Sequence, residues 1–339
     1  MKKLLKVLPL LAALTLAAAC DVHEIPHGYP LVSLTLDLKY SYDITQYTTI
    51  DFRTRAGVPD NGYQARYIVR LYKYASDDWQ RTPAYEYVYY SNGLDELDRR
   101  VRLEVEPANY HVIAWTDYVE AATMKDYYYD ASDFSELKLT GEYSGCDVRR
   151  DGFFGSADLE LASILVNGGE HEATVEMGRP FARYNLISMD KEQFIDYWIQ
   201  QIAMRDGTMV KTDRQNINLN KFKVKFIYPQ YLPSTFNLHS GKPVDSTVGV
   251  SFWTTMSVRE DGDVDLGFDY VFVNPTETKV NLMLEIYDDK GTYISTVSDI
   301  VIPLMRSQQT TVKGKILTSG ISSGISIDPT YDGEFNIQI

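Results

Sequence analysis

The sequence predicts an all-β protein: two antiparallel β-sandwich domains in tandem, with one short helix in the second. Three observations predict it. Period-two alternation of apolar and polar residues recurs from end to end, as in sheets with one face in a core and one in water. Turn signals fall between the runs, at Asn92-Gly93, Asp151-Gly152, Asn167-Gly168-Gly169, Asp261-Gly262 and Asp289-Lys290-Gly291. The length of 339 residues is long for one domain and comfortable for two. A hydrophobic content of 44% with 26 tyrosines excludes a disordered or collagen-like chain.

The N-terminus reads as an export signal. Lys2, Lys3 and Lys6 precede an apolar stretch from Val7 to Leu16 that ends in Ala17-Ala18-Ala19-Cys20. A basic start, a short apolar core and small residues before a cut site make a signal peptide over residues 1–19. The apolar run is shorter than the roughly 20 residues that span a bilayer. A cysteine directly after the small residues is what bacterial lipoprotein processing requires, although Ala17 stands where leucine is commonest. Cys20 is therefore the expected lipid attachment point. Acyl chains there would hold the protein on a membrane at about 0.8 kcal/mol per buried methylene. Residues 20–30, with two prolines, a glycine and two histidines, read as a tether.

The first strand is Leu31 to Lys39, with Val32, Leu34, Leu36 and Leu38 on one face. Clean alternation follows at Val101, Leu103 and Val105, and again at Ala173, Val175 and Met177. Gly178-Arg179-Pro180 then interrupts the pattern, and Phe181 to Ile187 opens a new apolar run. This divides the chain into domains at 31–178 and 179–339. From Asp190 through Met204, Phe194, Ile195, Trp198, Ile199 and Ile202 recur at helical spacing. Asp190 and Gln193 resemble a capping box, and Gly207 follows as a stop. Such a lone helix is expected to cover a sheet face or an open end. Phe222, Val224 and Phe226 alternate with lysines, and Leu282, Leu284 and Ile286 alternate further on. The chain ends on Phe335, Ile337 and Ile339, a strand that could pair within its own sheet or with a neighbour.

Chemistry is sparse. The formal charge of −14 argues against nucleic-acid binding, which needs clustered positive charge. Two cysteines cannot build a four-cysteine metal site, and the five histidines are scattered, so no metal or other cofactor is expected. Gly320-Ile-Ser-Ser-Gly324 spells a nucleophile elbow, but the last histidine, His239, precedes it and the required order fails. Asp261, Asp263 and Asp265 alternate as in a calcium loop, yet Leu266 and Phe272 stand where glycine and glutamate are needed. An acidic hairpin tip is the simpler reading. Cys146 has no nearby histidine to activate it. No enzyme and no small-molecule substrate are expected. Tyr85, Tyr87, Tyr89 and Tyr90 crowd one strand and Tyr127 to Tyr129 form a run. These could be packing, or exposed faces that stack on glycans, with Tyr87 and Tyr128 as the test positions.

Five passages together resemble the Bacteroidetes type V pilins, closest to their lipid-anchored minor-fimbria anchor group. They are Tyr110 to Tyr118 (YHVIAWTDY), Arg150 to Ala157 (RDGFFGSA), Arg179 to Tyr184 (RPFARY), Gly267 to Asn274 (GFDYVFVN), and the closing pair 311–318 and 327–334. The resemblance implies two transthyretin-like sandwich domains, export as a lipoprotein to the outer membrane and cell surface, and assembly with other fimbrial subunits by strand exchange. In polymerising members a protease cuts after a basic residue of the first domain and removes an edge strand; anchor members keep their lipid and that strand. Arg53 and Arg55 are the positions where such a cut is chemically feasible. The first strand (Val32, Leu34, Leu36, Leu38) and the last (Phe335, Ile337, Ile339) are the candidate exchange segments. The expected contacts are other subunits and, through Cys20, the membrane.

Overall fold

A computed structural model describes residues 32–40, 45–46, 62–75, 78–79, 82–91, 99–164, 170–206, 214, 217–319 and 336–338. Cys20, Arg53, Arg55, Phe335, Ile339 and the 320–324 motif lie outside them. No helix among the described residues is long and apolar enough to cross a membrane.

The chain is all-β. Up to Met177 the strands are β1 (Val32–Tyr40), β2 (Thr45–Gln46), β3 (Tyr63–Ala75), β4 (Asp78–Trp79), β5 (Tyr85–Ser91), β6 (Arg99–Val105), β7 (Asn109–Glu120), β8 (Tyr129–Asp130), β9 (Leu137–Leu139), β10 (Phe153–Glu160) and β11 (Glu170–Met177). Then come β12 (Phe181–Ser188), β13 (Lys223–Ile227), β14 (Leu232–Asn237), β15 (Lys242–Thr247), β16 (Ser251–Thr255), β17 (Ser257–Val258) and β18 (Val264–Phe272). The last are β19 (Thr278–Tyr287), β20 (Tyr293–Leu304), β21 (Gln308–Gly314) and β22 (Asn336–Gln338).

Two sheets enclose the first core. The three-stranded β11-β1-β6 faces β10-β7-β3-β5, with β4 paired to the end of β3. Between them lie the inward residues of β1, with Tyr67, Val69, Leu71, Val112 and Ala114. At the corner where the sheets approach, a Cβ on Gly155 would sit 2.3 Å from the Glu176 carbonyl oxygen. Only glycine lets β10 come that close to β11.

The second core lies between β17-β18-β12-β21 and β16-β13-β19-β20. The two hairpins flagged in the sequence form here. Gly262 (φ +90°) and Gly291 (φ +81°) adopt the left-handed backbone their turns need, and Asp288 Oδ1 accepts from the Lys290 and Thr292 amides. The helix Lys191–Asp206 closes one end, burying Phe194 and Ile195 and setting Trp198 against Phe222 at 5.1 Å.

Three features depart from expectation. The pairs β1–β11, β12–β21, β2–β21 and β21–β22 are parallel. Alternation reports which face is buried and is silent on strand direction. The Asp190 carboxylate does not cap its own helix. It accepts from the Leu317 and Thr318 amides at the short helix Ile316–Ser319, and from Ser188 Oγ. Asp151-Gly152 is no hairpin turn: Asp151 is buried, and its carboxylate takes two hydrogen bonds from Arg179 at 2.7 Å each.

A fifth sheet, β15-β14-β9-β8, draws strands from both sides of Gly178. Above it sits a third cluster, with Trp115, Tyr129 and Phe134 from one side and Phe181, Phe236, Tyr270 and Phe272 from the other. The two halves therefore share a core. This explains β12, whose eight residues are all buried: Ala182, Tyr184 and Leu186 face the second core, while Phe181 enters the shared one.

Candidate assembly surfaces

The first strand is the centre of its sheet. β1 pairs with β11 over Ser33 to Tyr40 and with β6 over Val32 to Leu38. Val32, Leu34, Leu36 and Leu38 are each no more than 1% exposed. Burying four such side chains contributes roughly 6–12 kcal/mol, at about 1.5–3 kcal/mol each. Among the described strands, β6 and β11 have β1 as their only ladder partner. Without β1 the sheet is two separated edges with an apolar groove between them.

At the other end of the chain, β22 runs parallel to β21, with Ile337 opposite Val312. β2 takes the adjoining stretch of the same side of β21, opposite Gln308 and Gln309. Two segments remote in sequence thus cover one edge of the second unit.

The remaining edges differ in how they are protected. β6 presents exposed Arg100 and Arg102, and β11 presents Glu170, Glu172 and Glu176. β15 carries Pro243 and two register breaks. β20 contains Pro303 and a left-handed Asp299 (φ +60°). Charge, proline and irregularity all discourage another strand from pairing. β5 has none of these devices beyond Glu86. It pairs in unbroken register with β3 from Tyr85 to Ser91, and β3 is its only ladder partner among the described residues. Val88 and Tyr90 on it are about 40% exposed. The sequence marks this strand only as tyrosine-rich; its free edge depends on strand order, which local pattern does not encode.

Buried charge fastens the junction between the halves. Arg150 donates to Asp269, whose carboxylate also accepts from Tyr143 at 2.6 Å and Tyr228 at 2.7 Å. Both members of the pair are almost fully buried. Burial pushes the Asp269 carboxyl above its ordinary range, and Arg150 and the two phenols work against that shift. Within the first half, Arg66 grips Asp117 with two hydrogen bonds, of 2.9 and 2.6 Å, and also reaches Asp126 at 2.5 Å. Arg306 donates to the carbonyls of Gly241 and Val273, and its guanidinium lies 5.7 Å over the Phe154 ring. Three segments that carry the sequence resemblance, 150–157, 179–184 and 267–274, meet here.

Other sequence-flagged residues have local roles. Burial raises the Cys146 thiol to about 12, and its sulfur exchanges hydrogen bonds with the Phe268 backbone. Such a thiol holds almost no thiolate at neutral pH. Asp263 pairs with Lys313 at 2.6 Å and Asp261 lies 3.6 Å from Arg259, so the alternating aspartates turn to separate partners. Tyr128 is buried and bonds Asp147 and Ser144; Tyr85, Tyr87 and Tyr89 are half-buried against the first core. The Tyr128 and Tyr87 faces are thus largely taken up by packing. The glycan-stacking expectation does not hold at Tyr128, because its ring packs in the shared core and its hydroxyl is taken by Asp147 and Ser144.

Comparison with solved structures finds distant likenesses. A candidate polysaccharide-binding protein from Bacteroides thetaiotaomicron is 11% identical with a TM-score of 0.43, over 79% of this chain and 80% of its own. A candidate adhesin from the same species is 12% identical with a TM-score of 0.43, over 84% and 92%. The fimbrial anchor protein Mfa2 from Porphyromonas gingivalis is 10% identical with a TM-score of 0.39, over 78% and 82%. Fimbrial and adhesin proteins of the Bacteroidetes, the group the five passages resemble, are thus among the similar structures. No curated protein matches the sequence. A family of unknown function, DUF6562, matches residues 30–339, and the chain belongs to that family.

Proposed function

We propose that this chain is a lipid-anchored subunit of a surface fimbria, serving as anchor or accessory rather than as the bulk pilin. It would sit in the outer membrane through acyl chains on Cys20 and join other subunits through sheet edges, transforming no substrate. The observation that carries this reading is the place of β1, central in the first sheet with Val32, Leu34, Leu36 and Leu38 fully buried. A chain that keeps β1 fills its own groove, so it does not need a neighbour's strand there. That suits a subunit at the fixed end of an assembly. The organisation that goes with it is a signal peptide over 1–19, a tether over 20–30, and two sandwich domains dividing near Gly178.

The regular outer edge of β5, which has no ladder partner among the described residues, supports an outward contact by β-augmentation, in which backbone hydrogen bonds supply the hold. On this reading Arg53 and Arg55, where a polymerising member would be cut, stay uncut, β1 stays in its own sheet rather than being exchanged, and the 335–339 segment is a proposed exchange strand. The test is a photo-crosslinking residue at Tyr90, exposed on the same strand, in cells expressing the full chain. Adducts with a second outer-membrane polypeptide, reduced by Val88→Lys, are expected. Recovery of uncrosslinked monomer alone would refute assembly through this edge.

A further inference from the structure

The outer face of the sheet β16-β13-β19-β20 breaks the usual polar pattern of a solvated sheet. Trp253 and Tyr293 are 52% and 54% exposed there. With half-buried Tyr287 between them they form a ring stripe that runs across the strands. Centroids are 4.9 Å apart for Trp253–Tyr287 and 5.9 Å for Tyr287–Tyr293. Beside it opens a cavity of about 610 Å³ whose lining includes Trp253, Tyr287, Lys223, Thr255, Gly145 and Gly291. That volume falls within the range of small-ligand sites, roughly 300–1,000 Å³.

The charges point to the kind of ligand. Lys223 and Lys225 stand on the same face, and Lys225 Nζ lies 5.9 Å over the Trp253 ring. Among the described residues neither lysine has a carboxylate at ion-pair distance. The nearest candidate by register, Glu285, instead accepts from the Tyr287 hydroxyl at 2.7 Å. On a chain of net charge −14, two lysines that have no carboxylate at ion-pair distance among the described residues, set beside exposed rings, offer an anion a local place to bind.

We propose that this face binds an acidic oligosaccharide, its sugar faces against Trp253 and Tyr287 and its carboxylates against Lys223 and Lys225. The stripe runs across the strands from β16 to β20 rather than along one of them, so its rings meet a ligand lying over the face instead of one extended beside a single strand. Ring faces bordered by hydrogen-bonding groups suit the alternating apolar and hydroxylated surface of a sugar. The site is separate from the β5 edge and stands or falls independently of the fimbrial reading.

The test is titration of the full mature chain with tetragalacturonic acid and sialyllactose, against maltotetraose as neutral control, alongside an acidic-glycan array. Binding of an acidic glycan that weakens with added salt is expected. Trp253→Ala should lower its affinity roughly tenfold, the scale of one lost stacking contact with its packing. Lys223→Gln with Lys225→Gln should remove the salt dependence. Tyr90→Ala, exposed on the other unit, should change nothing, and thermal melting confirms that each variant is folded. Failure of every acidic glycan to bind, equal binding of the neutral sugar, or affinity unchanged in Trp253→Ala would overturn the proposal. Preference for penta-glutamate over the acidic sugars would also overturn it and assign the face to a protein partner.

Discussion

Asp269 shows how costly a single missing partner would be. Its carboxylate has no solvent to fall back on and relies on Arg150, Tyr143 and Tyr228. Removing one member of a buried pair strands the other and costs about 3–5 kcal/mol. Arg150→Met should therefore lower the urea-unfolding free energy by about that amount. Arg100→Met, which removes the largely exposed partner of Asp37, should cost about 1 kcal/mol or less. Equal effects would mean that the buried pair is not what fastens the junction. Two histidines make a separate prediction. Burial is the leading cause that holds His111 and His239 below the ordinary histidine value, so the folded state favours their neutral rings. Around His239, His111 and Arg70 push the same way and Asp133 opposes them; at His111, Asp158 opposes. A folded value below the unfolded one, near 6.5, gives stability that is complete above that pH and is lost as pH falls through the window beneath it. The urea midpoint should drop between pH 7 and pH 5. His239→Phe, which keeps a ring against Tyr72, should flatten that drop.

Among the elements, β1 bears the most weight. A chain beginning at residue 41 should lose hydrogen-exchange protection across β6 and β11, whose ladder partner is gone. A synthetic peptide of residues 31–40 should restore it. Full protection without the peptide would show that β1 is dispensable. Much of this level was legible in the sequence. Alternation located β1, β6, β11, β13 and β19, and the residues at 194–199 located the helix and its buried side. Pairing was not legible, because strand order and direction come from contacts far apart in the chain. Arg150 and Asp269 are 119 positions apart, and Asp151 read as a turn residue because its partner Arg179 gives no local signal. Trp253 is marked in the sequence by its phase alone: it occupies the polar phase of a strand whose neighbours Phe252 and Thr254 are buried.

At the scale of the whole molecule, two sandwiches share a core, a fifth sheet and buried charge pairs, so a load on one is passed to the other. That is consistent with a part fixed at one end and joined at another. Its N-terminal strand lies inside the first sheet, a short tether away from the cysteine proposed to enter the membrane. The account therefore makes one demand of the native protein: Cys20 and β1 must remain on the same chain. The intact mass of the protein extracted from outer membranes reads this directly. A single species beginning at an acylated Cys20 and retaining β1 is the expected result. A chain beginning just after Arg53 or Arg55, with no lipid and no β1, would contradict it.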